Sequence, residues 1–213
     1  MGFNGSVKAT ARTGARQEAR AYLGTMDAFD AIHRRVSTRA FQPRPVPREV
    51  LARLLDAAVR APNHKLTEPW RFAVLTGAAR DRFAAARRDH RAHRFDDPAA
   101  PEAARAIEKT YRESLEMPAV VAVSCAVSDD GVRAAEDLAS TWMAVQNLLT
   151  AATAEGLGSY VRTGGILEEP AVRELAALPA GHRLVAVVSL GYPSAEEAPR
   201  RRTPAAEKTV WLD

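Results

Sequence analysis

The sequence of 213 residues contains a single cysteine, Cys125, which lies within the apolar run AVVAVSCAV. One cysteine excludes a disulfide framework and is typical of proteins from a reducing compartment. No apolar stretch reaches the roughly 20 residues that a membrane-spanning helix needs. We therefore expect a cytoplasmic protein without membrane contact, in which Cys125 is a small residue of the buried core.

Several motifs of catalysis and nucleotide binding are also missing. The stretch GLGSYV begins like a dinucleotide fingerprint, but Val161 replaces the third glycine, and the stretch follows a predicted helix instead of a strand. Neither a phosphate-binding G-x-x-x-x-G-K-[ST] loop nor a G-x-S-x-G nucleophile motif occurs. His90 and His93 have helical spacing, but arginines surround them, so we expect a solvated helix face and no metal site.

The composition of the whole sequence, with 46% hydrophobic and 26% charged residues, is typical of one ordinary globular domain. The net charge is +4, and the arginines are scattered along the chain instead of forming one stripe. A small molecule that carries phosphate is therefore as good a partner as nucleic acid. Residues 1–25 are rich in Gly, Ala and Arg and lack the apolar core of a secretion signal. We expect a flexible arm over 1–25 and one domain over 26–213.

Hydrophobic periodicity predicts alternating helices and short strands, which indicates an α+β or α/β fold. The strongest helix spans 132–155, where Asp129 or Asp130 can cap the start and Gly156 can end it. It is apolar around most of its girth, which is typical of a buried helix or of one at a subunit interface. Further helices are expected over 26–35, 47–60, 78–93 and 168–178, and strands over 71–77, 118–127, 159–165, 183–193 and 209–212.

Two of these segments carry more specific expectations. PAVVAVSCAV is almost continuously apolar and rich in valine, so it should form a central strand that is buried on both faces. Residues 96–115 are polar and contain two prolines, which favours a lid or an excursion over the surface.

Four separate stretches could contact a ligand. RRVSTR combines arginine and serine, which suit a phosphate or the polar edge of a planar ring, although a basic helix end in solvent has the same composition. APNHKLTEPW holds two prolines and more polar groups than a plain connector needs, so it is either a ligand-binding loop or a packed turn. GLGSYVRTGG lets backbone N–H groups approach a ligand or forms an ordinary turn at a strand end. RRR at 200–202 is a ligand contact or a charged tail.

Together, these stretches resemble the FMN-dependent nitroreductase family, particularly its shorter members named as NAD(P)H nitroreductases. IHRRVSTRAF is similar to the family's R-x-S-x-R-x-F element, and APNHKLTEPWRF to its A-P-(S/N/D)-x-x-x-x-x-P-W-x-F segment. AVQNLLTAATAEGLGS and SLGYP resemble its A-x-Q-N-L-x-x-A-A-x-x-x-G-L-G-S and L-G-Y-P segments. The likeness runs from about Met26 to the C-terminus. It implies an α+β, three-layer fold whose mostly antiparallel central sheet is flanked by helices, with a C-terminal extension that reaches the partner subunit.

The resemblance also implies a homodimer with tightly bound FMN at the subunit interface. Arg35 would lie near the FMN phosphate and Arg39 near the N1–C2=O edge of the ring, while His64 is a candidate for tuning proton supply. Val36 stands where the short members often carry arginine. The residues that would line the cofactor are Arg35, Val36, Ser37, Arg39, Arg60, His64, Val161, Arg162, Thr163, Arg201 and Arg202.

The function that the resemblance implies is hydride transfer from NAD(P)H through FMN to an electron-poor acceptor such as a nitroaromatic, quinone or activated alkene, by a ping-pong mechanism. One alternative is a family relative with dehalogenase or other specialised flavin chemistry. Another is a non-catalytic flavin- or anion-binding module, and a basic module for nucleic acid would show salt-sensitive binding. We expect no nucleic-acid partner.

Overall fold

The computed structural model describes residues 26–212, so the predicted arm over 1–25 lies outside the described residues. The helices are α1 (Ala28–Arg34), α2 (Arg48–Ala58), α3 (Gly77–Ala92), α4 (Pro101–Leu115), α5 (Gly131–Ala154) and α6 (Pro170–Leu175). The strands are β1 (Trp70–Leu75), β2 (Ala119–Ala126), β3 (Gly158–Arg162) and β4 (His182–Gly191). Short 3-10 helices lie at His64–Leu66, Gly165–Leu167 and Ala205–Lys208.

The four strands form one sheet in the order β1-β2-β4-β3, and every neighbouring pair is antiparallel. Trp70 pairs with Cys125, and Ala119 pairs with Leu190. The predicted central strand is confirmed, because β2 lies inside the sheet and is buried from Ala119 to Cys125. Successive side chains of a strand point to opposite faces, so β2 and β4 contribute to a core on each side of the sheet.

Helices cover both faces of the sheet. One core lies against α2 and α5 and includes Leu54, Val121 and Leu148. The other core lies on the opposite face, where Phe83 of α3 packs with Val120. Burial of a large apolar side chain stabilises a fold by roughly 1.5–3 kcal/mol, so the two cores hold the layers together. The α+β fold with three layers and an antiparallel sheet is therefore confirmed.

The long helix α5 has the caps that the sequence predicts. The carboxylate of Asp130 accepts a hydrogen bond from the backbone N–H of Val132 at 2.9 Å. Gly156 follows the helix with φ of +73°, a conformation that favours glycine at a helix end. Although much of the helix is buried, Trp142 and Met143 remain 36% and 39% exposed in the single chain. This side of α5 is apolar and uncovered by the described residues.

The expectation of a lid or a surface excursion over 96–115 is wrong. Residues Pro101–Leu115 form α4, which packs along α3. Pro101 occupies the first helical position, where its missing N–H removes no intrahelical hydrogen bond. The guanidinium of Arg88 in α3 lies 5.4 Å from the centre of the Tyr111 ring in α4. The polar composition thus belongs to an amphipathic helix with one packed face.

Two smaller expectations also differ from the structure. The strand predicted over 71–77 ends at Leu75, and Gly77 opens α3 instead of ending a strand. Residues 209–212 form no strand, and Val210, Trp211 and Leu212 are at least 81% exposed. Within residues 26–212, no helix combines the length and the apolarity that crossing a membrane requires.

Candidate functional site

Residues 35–39 run beside the edge strand β3. Ser37 forms a bridge with Ser159, and the backbone N–H of Thr38 donates to the Ser159 carbonyl at 2.9 Å. This approach depends on Gly158, because a Cβ there would lie 2.6 Å from the Thr38 side chain. Side chains of the segment and of β3 are therefore held next to each other.

Four side chains meet at this edge, Arg39, Arg87, Tyr160 and Arg162, and we call them the arginine cluster. Arg39 Nη2 donates to the Tyr160 hydroxyl at 3.4 Å, and its guanidinium carbon lies 5.2 Å from the centre of the Tyr160 ring. The guanidinium carbon of Arg162 lies 4.5 Å from the same ring centre. Tyr160 thus contacts two cations, which are attracted to its π electrons.

The two inner arginines of the cluster are partly buried and held by hydroxyl groups. Arg162 Nη1 donates to Ser189 Oγ at 2.5 Å, and Arg87 Nη1 donates to Ser114 Oγ at 2.6 Å. Burial, and then repulsion from Arg87, lower the pKa of Arg162 from its ordinary value to about 9, and burial also lowers the pKa of Arg87. None of the cluster's three arginines forms an ion pair with a carboxylate of residues 26–212. Positive charge without an ion-pair partner suits an anionic ligand.

The loop over 61–69, which carries His64, has a strained backbone. Lys65, Leu66 and Glu68 have φ of 52°, 52° and 42°, in the left-handed region that residues other than glycine rarely adopt. Each such residue costs on the order of 1–3 kcal/mol. Strain of this kind persists only where neighbouring groups hold it, and it is concentrated at functional sites.

Hydrogen bonds hold this loop in place. Asn63 Oδ1 accepts from the backbone N–H of Glu68 at 3.0 Å. The Thr67 hydroxyl donates at 2.6 Å to the carboxylate of Asp137, an α5 residue that is only 3% exposed. Trp70 is buried in the core beside α5 and anchors the exit of the loop, as the sequence indicates.

The predicted site residues form two groups, one in the chain that leads into β1 and one at β3, and these two strands are the opposite edges of the sheet. Arg60 and His64 precede β1 and are exposed, whereas Arg39 and Arg162 lie at β3. Because β2 and β4 lie between these edges, the two strands are separated by roughly 14 Å at the usual interstrand spacing. Within residues 26–212, no hydrogen bond or ion pair joins the two groups. One copy of the chain therefore does not bring the whole predicted set together.

The remaining predicted residues surround these groups. Arg35 follows α1 directly and is partly buried, and Val36 lines a cavity of about 240 Å³. Val161 packs against the core beside α5, while Thr163 is exposed just after β3. The C-terminal pair, Arg201 and Arg202, is exposed, and Arg202 donates to the Arg201 carbonyl at 3.4 Å.

Sequence reasoning missed three residues that shape these groups. Arg87 is one of many arginines in a charged helix, and nothing in the local sequence distinguishes it. Asp137 is a polar residue within a mostly apolar helix, a signal that points to a buried hydrogen-bond partner. Tyr160 lies inside GLGSYVRTGG, where an aromatic ring two residues from Arg162 in a strand predicts contact on one face.

A groove of about 1200 Å³ lies beside the free edge of β1. Its lining includes Val74 of β1, which is 38% exposed, together with residues of α2 and of the chain before α2. Its apolar lining residues include Pro43, Pro45, Val46, Leu51, Leu55 and Val74. Among residues 26–212, no group of three or more His, Cys, Asp or Glu side chains could hold a metal ion.

An antiparallel sheet between two helical layers defines an α+β protein, and its two positively charged groups, one before β1 and one at β3, form a candidate ligand site. The chain belongs to the nitroreductase family, because the family model matches residues 32–192. The match includes the arginine cluster and the strained loop, and it confirms the resemblance seen in the sequence.

Individual relatives cover most of the chain. YfhC of Bacillus subtilis is 30% identical over 185 residues, which are 84% of this chain and 91% of YfhC. YdjA of Escherichia coli K12 is 32% identical over 170 residues, 79% of this chain and 89% of YdjA. Both carry the provisional name NAD(P)H nitroreductase.

Solved structures show the same fold. A nitroreductase-like protein from Bacillus cereus superposes with a TM-score of 0.76 at 28% identity, over 89% of this chain and 97% of that one. Iodotyrosine deiodinase, solved with FMN and 3-iodo-L-tyrosine, has a TM-score of 0.66 at 25% identity, over 84% of this chain and 96% of that one.

Proposed function

We propose that the protein is a cytoplasmic, FMN-dependent oxidoreductase that transfers hydride from NAD(P)H to an electron-poor acceptor by a ping-pong mechanism. Nitroaromatics, quinones and activated alkenes fit this chemistry. The observation that carries the proposal is the arginine cluster, whose three guanidinium groups lack a carboxylate partner in the described chain. The names of YfhC and YdjA support the reductase activity, and the FMN in iodotyrosine deiodinase supports the cofactor.

The residues present fit FMN. The phosphate is an anion, and Arg35 and Ser37, with Arg201 or Arg202, are donors of the kind that phosphates bind. Arg39 would face the N1–C2=O edge of the ring, where its fixed positive charge favours added negative charge. The backbone around Val36 and the residues Val161, Arg162 and Thr163 would border the cofactor.

FMN, when bound, supplies the two-electron chemistry, and the protein supplies binding, orientation and electrostatics. No side chain has to act as a nucleophile. His64, which is exposed at the start of the strained loop, remains the candidate for tuning proton supply.

We infer a homodimer because the predicted residues form two groups that no hydrogen bond or ion pair joins within the described part of one copy. In a symmetric pair, the loop with Arg60 and His64 from one protomer can meet the arginine cluster of the other. Trp142 and Met143 on α5 provide exposed apolar surface for such a contact.

The C-terminal segment supports the same assembly. Val210, Trp211 and Leu212 are exposed, and the groove beside β1 offers an apolar lining next to a free strand edge. An extended apolar segment gains both side-chain burial and backbone hydrogen bonds by pairing with such an edge. We propose that residues 209–212 of one protomer dock in this groove of the other. Deletion of 209–213 should then shift the dimer toward monomer in sedimentation experiments.

A visible spectrum of the purified protein, before and after anaerobic addition of NAD(P)H, tests the proposed function. A yellow protein that bleaches with NAD(P)H and recovers its colour with a nitroaromatic or quinone supports it. A colourless protein that cannot be reconstituted with FMN would contradict the cofactor assignment, as expected for an anion- or nucleic-acid-binding module. A yellow protein that NAD(P)H does not bleach would contradict the enzyme assignment. Turnover with halogenated phenols alone would favour the dehalogenase alternative.

A further inference from the structure

The two inner arginines of the cluster place positive charge in a partly buried part of the protein. Arg162 and Arg87 are partly buried close to each other, and repulsion from Arg87 adds to burial in lowering the pKa of Arg162 to about 9. A buried cation is costly unless an opposite charge compensates it. Among residues 26–212, Glu113 is the carboxylate that acts on both arginines, but it forms an ion pair with neither.

The surrounding groups fix these charges in position. Ser189 accepts from Arg162 and donates to the sulfur of Met117 at 3.0 Å, so the hydrogen bond to Met117 fixes the orientation of the Ser189 hydroxyl. Ser114 accepts from Arg87 and donates to the Thr110 carbonyl at 2.5 Å. Neither guanidinium is therefore free to turn toward solvent without breaking a hydrogen bond.

The Tyr160 ring links the buried charges to the exposed one. The guanidinium of Arg162 lies 4.5 Å from the ring centre, and that of Arg39 lies 5.2 Å from it and donates to its hydroxyl. Arg39 is exposed, whereas Arg162 lies deeper. The three positive charges thus extend from the interior to the surface at β3, and a ligand at Arg39 would feel the field of all three.

We propose that the positive charges of Arg87 and Arg162, which adjoin Tyr160 and Arg39, make the protein bind the reduced, anionic form of the cofactor more tightly than the oxidised form. The inference rests on the proposed function. Hydride transfer delivers two electrons and one proton, converts NAD(P)H to NAD(P)⁺ and adds one negative charge to the ring. Fixed positive charges in a water-poor site favour that added charge because they need no reorganisation.

The midpoint potential of the bound FMN tests this proposal. Arg87→Met and Arg162→Met remove a charge but keep a long, unbranched side chain. We expect each variant to reduce the ratio of reduced to oxidised FMN affinity by about tenfold, a decrease of about 30 mV for a two-electron couple. Arg162→Lys keeps the charge and should retain most of the ratio. An unchanged potential in both methionine variants would overturn the proposal.

Arg88→Met is the matched control. Arg88 neighbours Arg87 on α3, but it is 43% exposed and pairs with Asp89 at 2.8 Å. We expect the potential of this variant to equal that of the wild type. An equal decrease in all three methionine variants would indicate a general charge effect and would overturn the assignment to Arg87 and Arg162.

Urea unfolding of the cofactor-free protein provides a second measurement, whose expected result a purely structural role would not produce. Because the inner charges lack a carboxylate partner, Arg162→Met should move the urea midpoint of the cofactor-free protein to higher concentration. A lower midpoint, with an unchanged potential, would show that Arg162 serves only packing. If the wild-type protein did not bind FMN at all, the proposed function itself would be contradicted. If the methionine variants bound FMN with the potential of the wild type, only the present inference would be contradicted.

Discussion

Arg35 begins the segment that runs beside β3, directly after α1. Its backbone N–H donates to the Ala31 carbonyl at 3.1 Å, which fixes the start of the segment to the helix end. The side chain is partly buried, so its position is restricted before any ligand arrives. In the proposed site, this residue holds the FMN phosphate.

We expect Arg35→Ala to weaken FMN retention by about 10- to 100-fold, because a hydrogen bond to a charged group contributes about 1.5–3 kcal/mol. The FMN content after desalting and the dissociation constant of the reconstituted protein measure the effect. Arg34→Ala removes a neighbouring positive charge from the same helix end and should have a smaller effect. Equal losses in the two variants would contradict a specific contact of Arg35 with phosphate.

His182 contributes to the pH dependence of the free energy of unfolding. Burial, and then the positive charge of Arg71, lower the pKa of His182 below its ordinary value of 6.5. The unfolded chain therefore binds a proton more readily than the folded protein. The contribution of His182 to the free energy of unfolding is fully present above pH 6.5. It is lost as the pH falls from 6.5 toward the lowered pKa that His182 has in the folded protein.

We expect His182→Gln to flatten the pH profile of stability between about pH 5 and 7. Urea unfolding at several pH values in this range measures the profile. If the variant and the wild type have the same slope, the titration of His182 does not contribute to the acid sensitivity of the fold.

At the scale of elements, the strained loop and α5 depend on each other. The loop has three residues other than glycine in the left-handed region, and the bond between Thr67 and Asp137 ties it to the helix. The Nε atom of Arg133, on the exposed side of the helix, lies 3.5 Å from the second carboxylate oxygen of Asp137. The buried carboxylate therefore depends on Thr67 for its hydrogen bond inside the protein.

We expect Thr67→Val to lower the free energy of unfolding by about 1.5–3 kcal/mol, because it leaves a buried charged acceptor without its donor. Valine has the shape of threonine, so packing changes little. Thr67→Ser keeps the hydroxyl and should retain most of the stability. Urea unfolding of the three proteins measures the difference, and a valine variant as stable as the wild type would show that the strained backbone needs no such bond.

At the scale of the whole molecule, the sheet separates the two halves of the proposed site. Arg60 and His64 lie in the chain that leads into the edge strand β1, and the arginine cluster lies at the other edge strand, β3. In the homodimer that we propose, a twofold axis would bring the two halves together, since each site would take one half from each protomer.

A mixing experiment tests this division. Arg39→Ala and Arg60→Ala should each inactivate the protein, because every site of either homodimer lacks one arginine. Unfolded together and refolded, the two variants should recover about a quarter of wild-type activity, since half of the dimers are mixed and each has one intact site. Zero recovery, with mixed dimers shown by mass spectrometry, would place both arginines in the same half.

Much of the architecture follows from local patterns in the chain. The valine-rich run forms a central strand because apolar side chains on both faces need cover on both sides, and Asp130 and Gly156 bound α5 because each satisfies a local backbone requirement. The helix α4 was missed, since its polar composition and prolines are equally typical of a surface loop, and the packed face becomes evident only beside α3.

The order of the motifs along the chain was enough to predict the family, and the family model that matches residues 32–192 confirms that prediction. The chain pattern did not predict that Arg39, Arg87 and Arg162 would lie together at β3, or that Arg60 would belong to a separate group before β1. Those positions depend on strand order and register, which arise from contacts between residues far apart in sequence. Local propensities do not encode such contacts, and the packing of the three layers establishes them.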